Sequence, residues 1–132
     1  MRILLVDDHT MFRMGLVMQL QLLRPEAQAV QCDSPQAARA HFDGLQPPFD
    51  VIVLDLGMPG FQRLEALSYF RGLCPEIPCV VVSGAEDPQL VRDCVEMGAF
   101  GFQLEAHKWI NLQVRLREFM PVGVRPLVLP IT

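Results

Sequence analysis

The sequence predicts an α/β fold, a doubly wound five-stranded parallel sheet, and three observations predict it. Short apolar runs rich in β-branched residues recur at Arg2–Val6, Val51–Asp55 and Ile77–Val82, each too short for a helix. The stretches between them carry apolar residues at intervals of three to four, the period of an amphipathic helix. Finally, Val51-Ile52-Val53-Leu54 is apolar at four successive positions. That pattern marks a strand buried on both faces, as in a parallel sheet with helices on either side. A chain of 132 residues supplies one core of this kind and not two.

The first strand, Arg2–Val6, ends on the acidic pair Asp7-Asp8. From His9 to Leu23 the residues Phe12, Leu16, Leu20 and Leu23 form one helical face, with Asp8 placed as the N-cap and Pro25 ending the helix. Ala27–Cys32 is a short strand. Asp33-Ser34-Pro35 then combines a cap with a first-turn proline, predicting a helix to about Phe42, and Gly44 to Pro48 is a loop. The central strand Val51–Asp55 follows and ends on an acid. A Gly/Pro loop over Leu56–Gly60 leads to a helix over Phe61–Leu73 with Leu64, Leu67 and Phe70 on one face. Next come a strand over Ile77–Val82, a helix opened by Asp87-Pro88 that carries Leu90, Val91 and Val95 and stops at Gly98, and a fifth strand over Ala99–Leu104. Beyond it, Trp109, Leu112, Leu116 and Phe119 fit a helix, whereas Ile110, Leu112, Val114 and Leu116 alternate with polar residues as an edge strand would. The folded unit is placed at residues 1–120, and the proline-bearing stretch 121–132 is a tail or linker. If 110–116 form an edge strand, their unpaired backbone groups would make a homodimer.

Composition excludes several classes. A net charge of -4 and 51% hydrophobic residues describe a globular chain with no basic run for direct nucleic-acid binding. No apolar stretch approaches the roughly 20 residues of a membrane span, so the expected location is cytoplasmic. Cys32, Cys74, Cys79 and Cys94 show no C-x-x-C pair and no histidine at ligand spacing. They read as small buried apolar residues in a reducing compartment, not as zinc ligands or disulfides.

In open α/β sheets, ligands bind beyond the carboxyl ends of the strands. Asp7, Asp8 and Asp55 should meet there, and like charges that close must bind a cation or protonate. The cation that suits them is Mg²⁺, which takes oxygen ligands and is usually held by one or two carboxylates plus a phosphate. The cluster therefore suggests phosphoryl chemistry. The plainer alternative is that Asp7 and Asp8 cap a helix and Asp55 merely ends a strand.

These motifs resemble the receiver domain of two-component response regulators over about Met1 to Leu104. Asp7-Asp8 is similar to the family's acidic pair, Asp55 to its phosphoacceptor, Met58-Pro59-Gly60 to the loop after it, Ser83-Gly84 to the switch hydroxyl with its small neighbour, and Phe102 to the switch aromatic. The opening Asp7-Asp8-His9-Thr10-Met11-Phe12-Arg13-Met14-Gly15-Leu16 resembles the NarL/LuxR-type branch of transcription regulators. The resemblance implies the CheY-like (flavodoxin-like) fold with strand order 2-1-3-4-5. It also implies an output helix-turn-helix domain that would lie outside this sequence.

The resemblance further implies a mechanism and partners. Asp55 would take a phosphoryl group from a sensor histidine kinase or a phosphotransfer protein, a covalent step on a carboxylate. Asp8, Asp55 and the Gly57 carbonyl would hold Mg²⁺, with Asp7 assisting through water. Ser83 would then turn toward the phosphoryl group and Phe102 would follow. On this view the chain is a phosphoacceptor regulatory domain and not a general enzyme.

One position departs from the family. Where a lysine follows the switch aromatic by three residues, this chain has Glu105, followed by Ala106 instead of proline; Lys108 is three residues further on. Gln62-Arg63 also replaces the common Asp-Gly. A cation 4 to 5 Å from a phosphoryl charge contributes about 3 kcal/mol at an effective dielectric near 20, and an acid there costs about as much. Two classes of function follow: a phosphoaccepting switch, or a degenerate receiver that acts as a phosphorylation-independent interaction module. A haloacid-dehalogenase-like phosphatase would need an aspartate at Gly57. A flavodoxin-like flavin binder would not place Asp7-Asp8 beside a phosphate.

Overall fold

The computed structural model describes residues 2–104 apart from Arg24, 45–47, Pro59, Arg63 and 84–86. In chain order the elements are β1 (Arg2–Val6), α1 (Thr10–Leu23), β2 (Gln28–Cys32), α2 (Pro35–Arg39) continued by a 3-10 turn (Ala40–Phe42), β3 (Val51–Asp55), α3 (Glu65–Leu73), β4 (Cys79–Ser83), α4 (Pro88–Glu96) and β5 (Gly101–Leu104). All strands are parallel and the order across the sheet is β2-β1-β3-β4-β5, as the resemblance implies. This is the CheY-like arrangement.

Burial on both faces explains the apolar runs. One face of the sheet presents Leu4, Val6, Ile52, Leu54, Cys79 and Val81 to Ala38 of α2, Ala66, Leu67 and Phe70 of α3, and Leu90 and Cys94 of α4. The other presents Ile3, Leu5, Val51, Val53, Val80 and Val82, against which Leu16 of α1 packs. The strands that carry Asp7 and Asp55 are thus held in the dry centre of the molecule. Every residue of β3 is buried.

Several boundaries differ from expectation for local reasons. The third helix begins at Glu65 and not Phe61. Gly60 adopts a positive φ of 83°, and the chain then closes a turn in which the Gln62 and Glu65 amides exchange 2.8 Å bonds with the Glu65 carboxylate and the Gln62 carbonyl. β4 begins at Cys79, two residues late, because the Ile77 amide is spent on the Cys74 carbonyl and Pro78 has no amide to give the ladder. β5 starts at Gly101, after the Ala99 and Phe100 amides bond to the carbonyls of Cys94 and Cys79. On α4 the buried residues are Leu90 and Cys94, whereas Val95, one of the apolar residues the helix carries, is 57% exposed. The caps Ser34 and Asp87 behave as expected, accepting from the amides of Ala37 and Gln89. All four cysteines are buried free thiols.

Candidate functional site

The carboxyl ends of β1 and β3 lie side by side, with Val6 in register with Leu54. The next residue on each strand is therefore delivered to the same edge: Asp55 as the last residue of β3, and Asp7 just past β1. Both are almost fully enclosed, at 3% and 2% exposure. Asp8 is partly exposed beside them. Ligand atoms of Asp7, Asp8, His9 and Asp55 all lie within 4.8 Å of one another, so the three acids converge as the sequence predicts.

Each acid is positioned by backbone. The Asp55 Oδ1 accepts the Gly57 N–H at 3.0 Å, which fixes the rotation of the carboxylate. The Asp7 Oδ1 accepts the His9 N–H at 2.8 Å, closing a local turn into α1, while the Asp7 N–H donates to the Cys32 carbonyl on β2. This corrects the expected cap: the side chain that accepts a main-chain amide at the entry to α1 is Asp7, not Asp8. The difference frees the Asp8 carboxylate, whose Oδ1 is enclosed without a hydrogen-bond partner among the described residues. Arg13 of α1 reaches back to the Asp7 carbonyl and to Thr10 Oγ1.

His9 is the residue the sequence reading missed. Its Nδ1 lies 2.9 Å from Asp7 Oδ1, 3.5 Å from Asp8 Oδ1 and 3.8 Å from Asp55 Oδ2. The hydrogen bond to Asp7 and then the charge of Asp7 raise its pKa above the ordinary 6.5, with smaller contributions from Asp8 and Asp55 working against desolvation. The available signal was its place two residues after Asp7, the spacing of an Asx turn.

The donor chemistry fits Mg²⁺: oxygen ligands from two enclosed carboxylates and one half-open one, at a rim where waters and a phosphate can complete the shell. Register places the remaining predicted residues on adjacent strands. Asp55 pairs with Val82, so Ser83 follows one residue later on β4, and Phe102 of β5 pairs with Val81. The side chains of Ser83 and Phe102, and all of Gly84 and Glu105, lie outside the described residues, as do Lys108 and the 110–116 stretch.

The family model for the response regulator receiver domain matches residues 3–108. The chain belongs to that family. The match continues past Gln103, further than the motifs alone reach. Among curated proteins, the receiver is 34% identical over 101 residues to the glycerol metabolism activator of Pseudomonas putida, covering 76% of this chain and 45% of that one. It is 35% identical over 104 residues to the nitrate/nitrite response regulator protein NarL of Escherichia coli, covering 78% and 47%. The chain spans about half the length of these relatives. Among solved structures, the signal receiver domain of the putative response regulator NarL from Mycobacterium tuberculosis superposes with a TM-score of 0.63 at 30% identity, covering 78% of this chain and 82% of that one. Receiver domains are regulatory domains of two-component systems that interact with histidine kinases or phosphotransfer proteins and bind Mg²⁺ at an acidic pocket. Asp7, Asp8 and Asp55 form an acidic cluster that could hold such an ion. Among its described residues no helix is long and apolar enough to cross a membrane.

Proposed function

We propose that this receiver is a phosphoacceptor whose Asp55 takes a phosphoryl group from a phosphohistidine. One observation carries the reading: a carboxylate 3% exposed, at the end of the central strand, sharing a 4.8 Å cluster with two further acids. The Gly57 amide holds one Asp55 oxygen, which presents the carboxylate in one orientation. A carboxylate oxygen then attacks phosphorus, the P–N bond breaks, and the leaving imidazole takes up a proton. Asp8, Asp55 and the Gly57 carbonyl would hold Mg²⁺, with Asp7 behind them; when bound, the ion neutralises charge on the transferring phosphoryl group. Asp7 takes no part in the bond change. Its bonds to the His9 and Cys32 backbones keep the acid pair at the mouth of the site.

Ser83, at the end of β4, would donate to a phosphoryl oxygen, and Phe102 on β5 would follow it. Strand register supports both roles. A small acyl phosphate with Mg²⁺ should add one phosphoryl group to the chain, read by intact mass, and Asp55→Asn should add none. Labelling of Asp55→Asn equal to wild type would dismiss the proposal.

A second reading has its own observation, Glu105 where the family has lysine. Acid there would oppose the phosphorylated state, leaving an interaction module that does not switch. A ligand shifts an equilibrium only by its differential interaction with the two states. On this reading phosphorylation changes few amide shifts, and Glu105→Lys restores a change around Ser83 and Phe102. If the unaltered chain switches fully and Glu105→Lys adds nothing, the module reading fails.

The described surface also supports a docking partner. Met11, Met14, Met18 and Leu22 stand 86, 55, 65 and 79% exposed on α1, at helical spacing along one face that starts beside the acidic site. A phosphodonor that must reach Asp55 has an apolar helix face to lie on. The region 105–120 is proposed to belong to the folded unit, because the family match runs past β5 to residue 108. The stretch 121–132 is proposed as the tail that leads to an output domain, and the location as cytoplasmic.

A further inference from the structure

His9 stands at the rim of the acidic site with its ring half exposed and its Nδ1 at 2.9, 3.5 and 3.8 Å from one oxygen each of Asp7, Asp8 and Asp55. These separations have a direct meaning for an ion. Ligands about 2.1 to 2.2 Å from a six-coordinate cation stand about 3 Å apart when adjacent and about 4.3 Å apart when opposite. The three Nδ1 to oxygen separations fall inside that span, so Nδ1 can share one coordination sphere with these oxygens. The main chain ties His9 to this place independently of its ring, because its N–H donates to Asp7 Oδ1 at 2.8 Å. The imidazole can exchange its own bond to Asp7 for an ion without moving the backbone.

We propose that His9 Nδ1 is a direct ligand of the divalent ion in this site, converting an all-oxygen donor set into carboxylates plus one imidazole and tuning it toward ions that accept nitrogen. The inference rests on the reading of Asp8 and Asp55 as metal ligands and adds a residue and an ion class to it. Mg²⁺ demands oxygen and keeps its waters. Mn²⁺, Co²⁺, Ni²⁺ and Zn²⁺ take imidazole readily, with affinity rising from Mn²⁺ to Ni²⁺. Ligation uses the neutral ring with its proton on Nε2, so loading releases to solvent any proton carried on Nδ1. His9 would then discriminate among divalent ions while the acids supply affinity for all of them.

Calorimetric titration of the tag-free chain with MgCl₂ and with CoCl₂ tests this, using wild type, His9→Ala and Asp8→Asn. In His9→Ala the Co²⁺ affinity should fall tenfold or more while that for Mg²⁺ stays within twofold. In the Zn²⁺-loaded wild type, a long-range proton–nitrogen spectrum should show the His9 Nδ1 resonance moved to the metal-bound range with Nε2 still protonated. Equal losses for both ions, or no loss for either, would overturn the role of His9. The underlying site is separately exposed by Asp8→Asn: binding of both ions unchanged in that variant defeats the acidic metal site itself. Binding abolished there, with the Co²⁺ to Mg²⁺ ratio unmoved in His9→Ala, defeats only the proposal for His9.

Discussion

At the scale of residues, what was legible was the chemistry that repeats by type and place. Acids at the ends of two apolar strands announce a carboxylate cluster, because parallel strands buried on both faces deliver their last residues to one edge. Which oxygen caps and which is left for a ligand was not legible. That is decided by the turn at Asp7, where a 2.8 Å bond to His9 takes Asp7 out of competition with Asp8. Glycine at 98 is a second case in which geometry outweighs pattern. The sequence marks it as a helix stop, and the structure adds a φ of 100° with an added Cβ only 3.0 Å from Arg71 Nε. Gly98→Ala should therefore destabilise the chain by about 1 to 3 kcal/mol, the cost of a strained backbone position, with further loss if Arg71 is pushed from the Ile77 carbonyl. Urea denaturation measures it, and a change below a few tenths of a kcal/mol would show that the turn relaxes.

Elements were read well where the apolar period was unbroken and poorly where turns intervene. The five strands and the helix caps Ser34 and Asp87 followed from sequence; the first turn of α3 did not, because Gly60 and the Gln62 to Glu65 turn consume residues that look helical. For α1 the apolar period marks Phe12, Leu16, Leu20 and Leu23 as one face. Leu16 is buried as expected, but a second apolar line, Met11, Met14, Met18 and Leu22, faces outward. Periodicity cannot separate a face that meets the sheet from one that waits for a partner. If the outward line serves a phosphodonor, Met14→Glu and Met18→Glu together should slow transfer from a cognate phosphohistidine protein tenfold or more while leaving labelling by a small acyl phosphate within twofold. Stopped-flow transfer assays beside mass labelling decide it, and equal effects on both donors would assign the residues to folding.

For the whole molecule, the sheet's double burial governs stability and reactivity together. Cys74 and Cys79 sit in the core that α3 closes, and burial first of all raises their thiols to about 11 and about 12 from an ordinary 9.0. A folded value above the unfolded one contributes stability that is present below pH 9 and is lost as pH rises toward 11 to 12. The melting temperature should fall across that window, and Cys79→Ala should flatten part of the fall; native thiols should also resist iodoacetamide at pH 8. Prompt alkylation without unfolding would contradict the core described. The extent of the domain is tested by truncation. Ending the chain after Met120 should preserve cooperative unfolding, whereas ending it after Leu104, inside the family match, should abolish it; loss in both cases would move the boundary beyond 120.

The proposed chemistry puts the phosphoryl group on Asp55 and on neither acid of the adjacent pair. Reduction of the labelled chain with borohydride converts an aspartyl phosphate to homoserine in place, and peptide mapping then reads the position. Homoserine is expected at 55 alone, dependent on a divalent ion during labelling. Homoserine at position 7 or 8, or labelling undiminished when the ion is chelated, would contradict it.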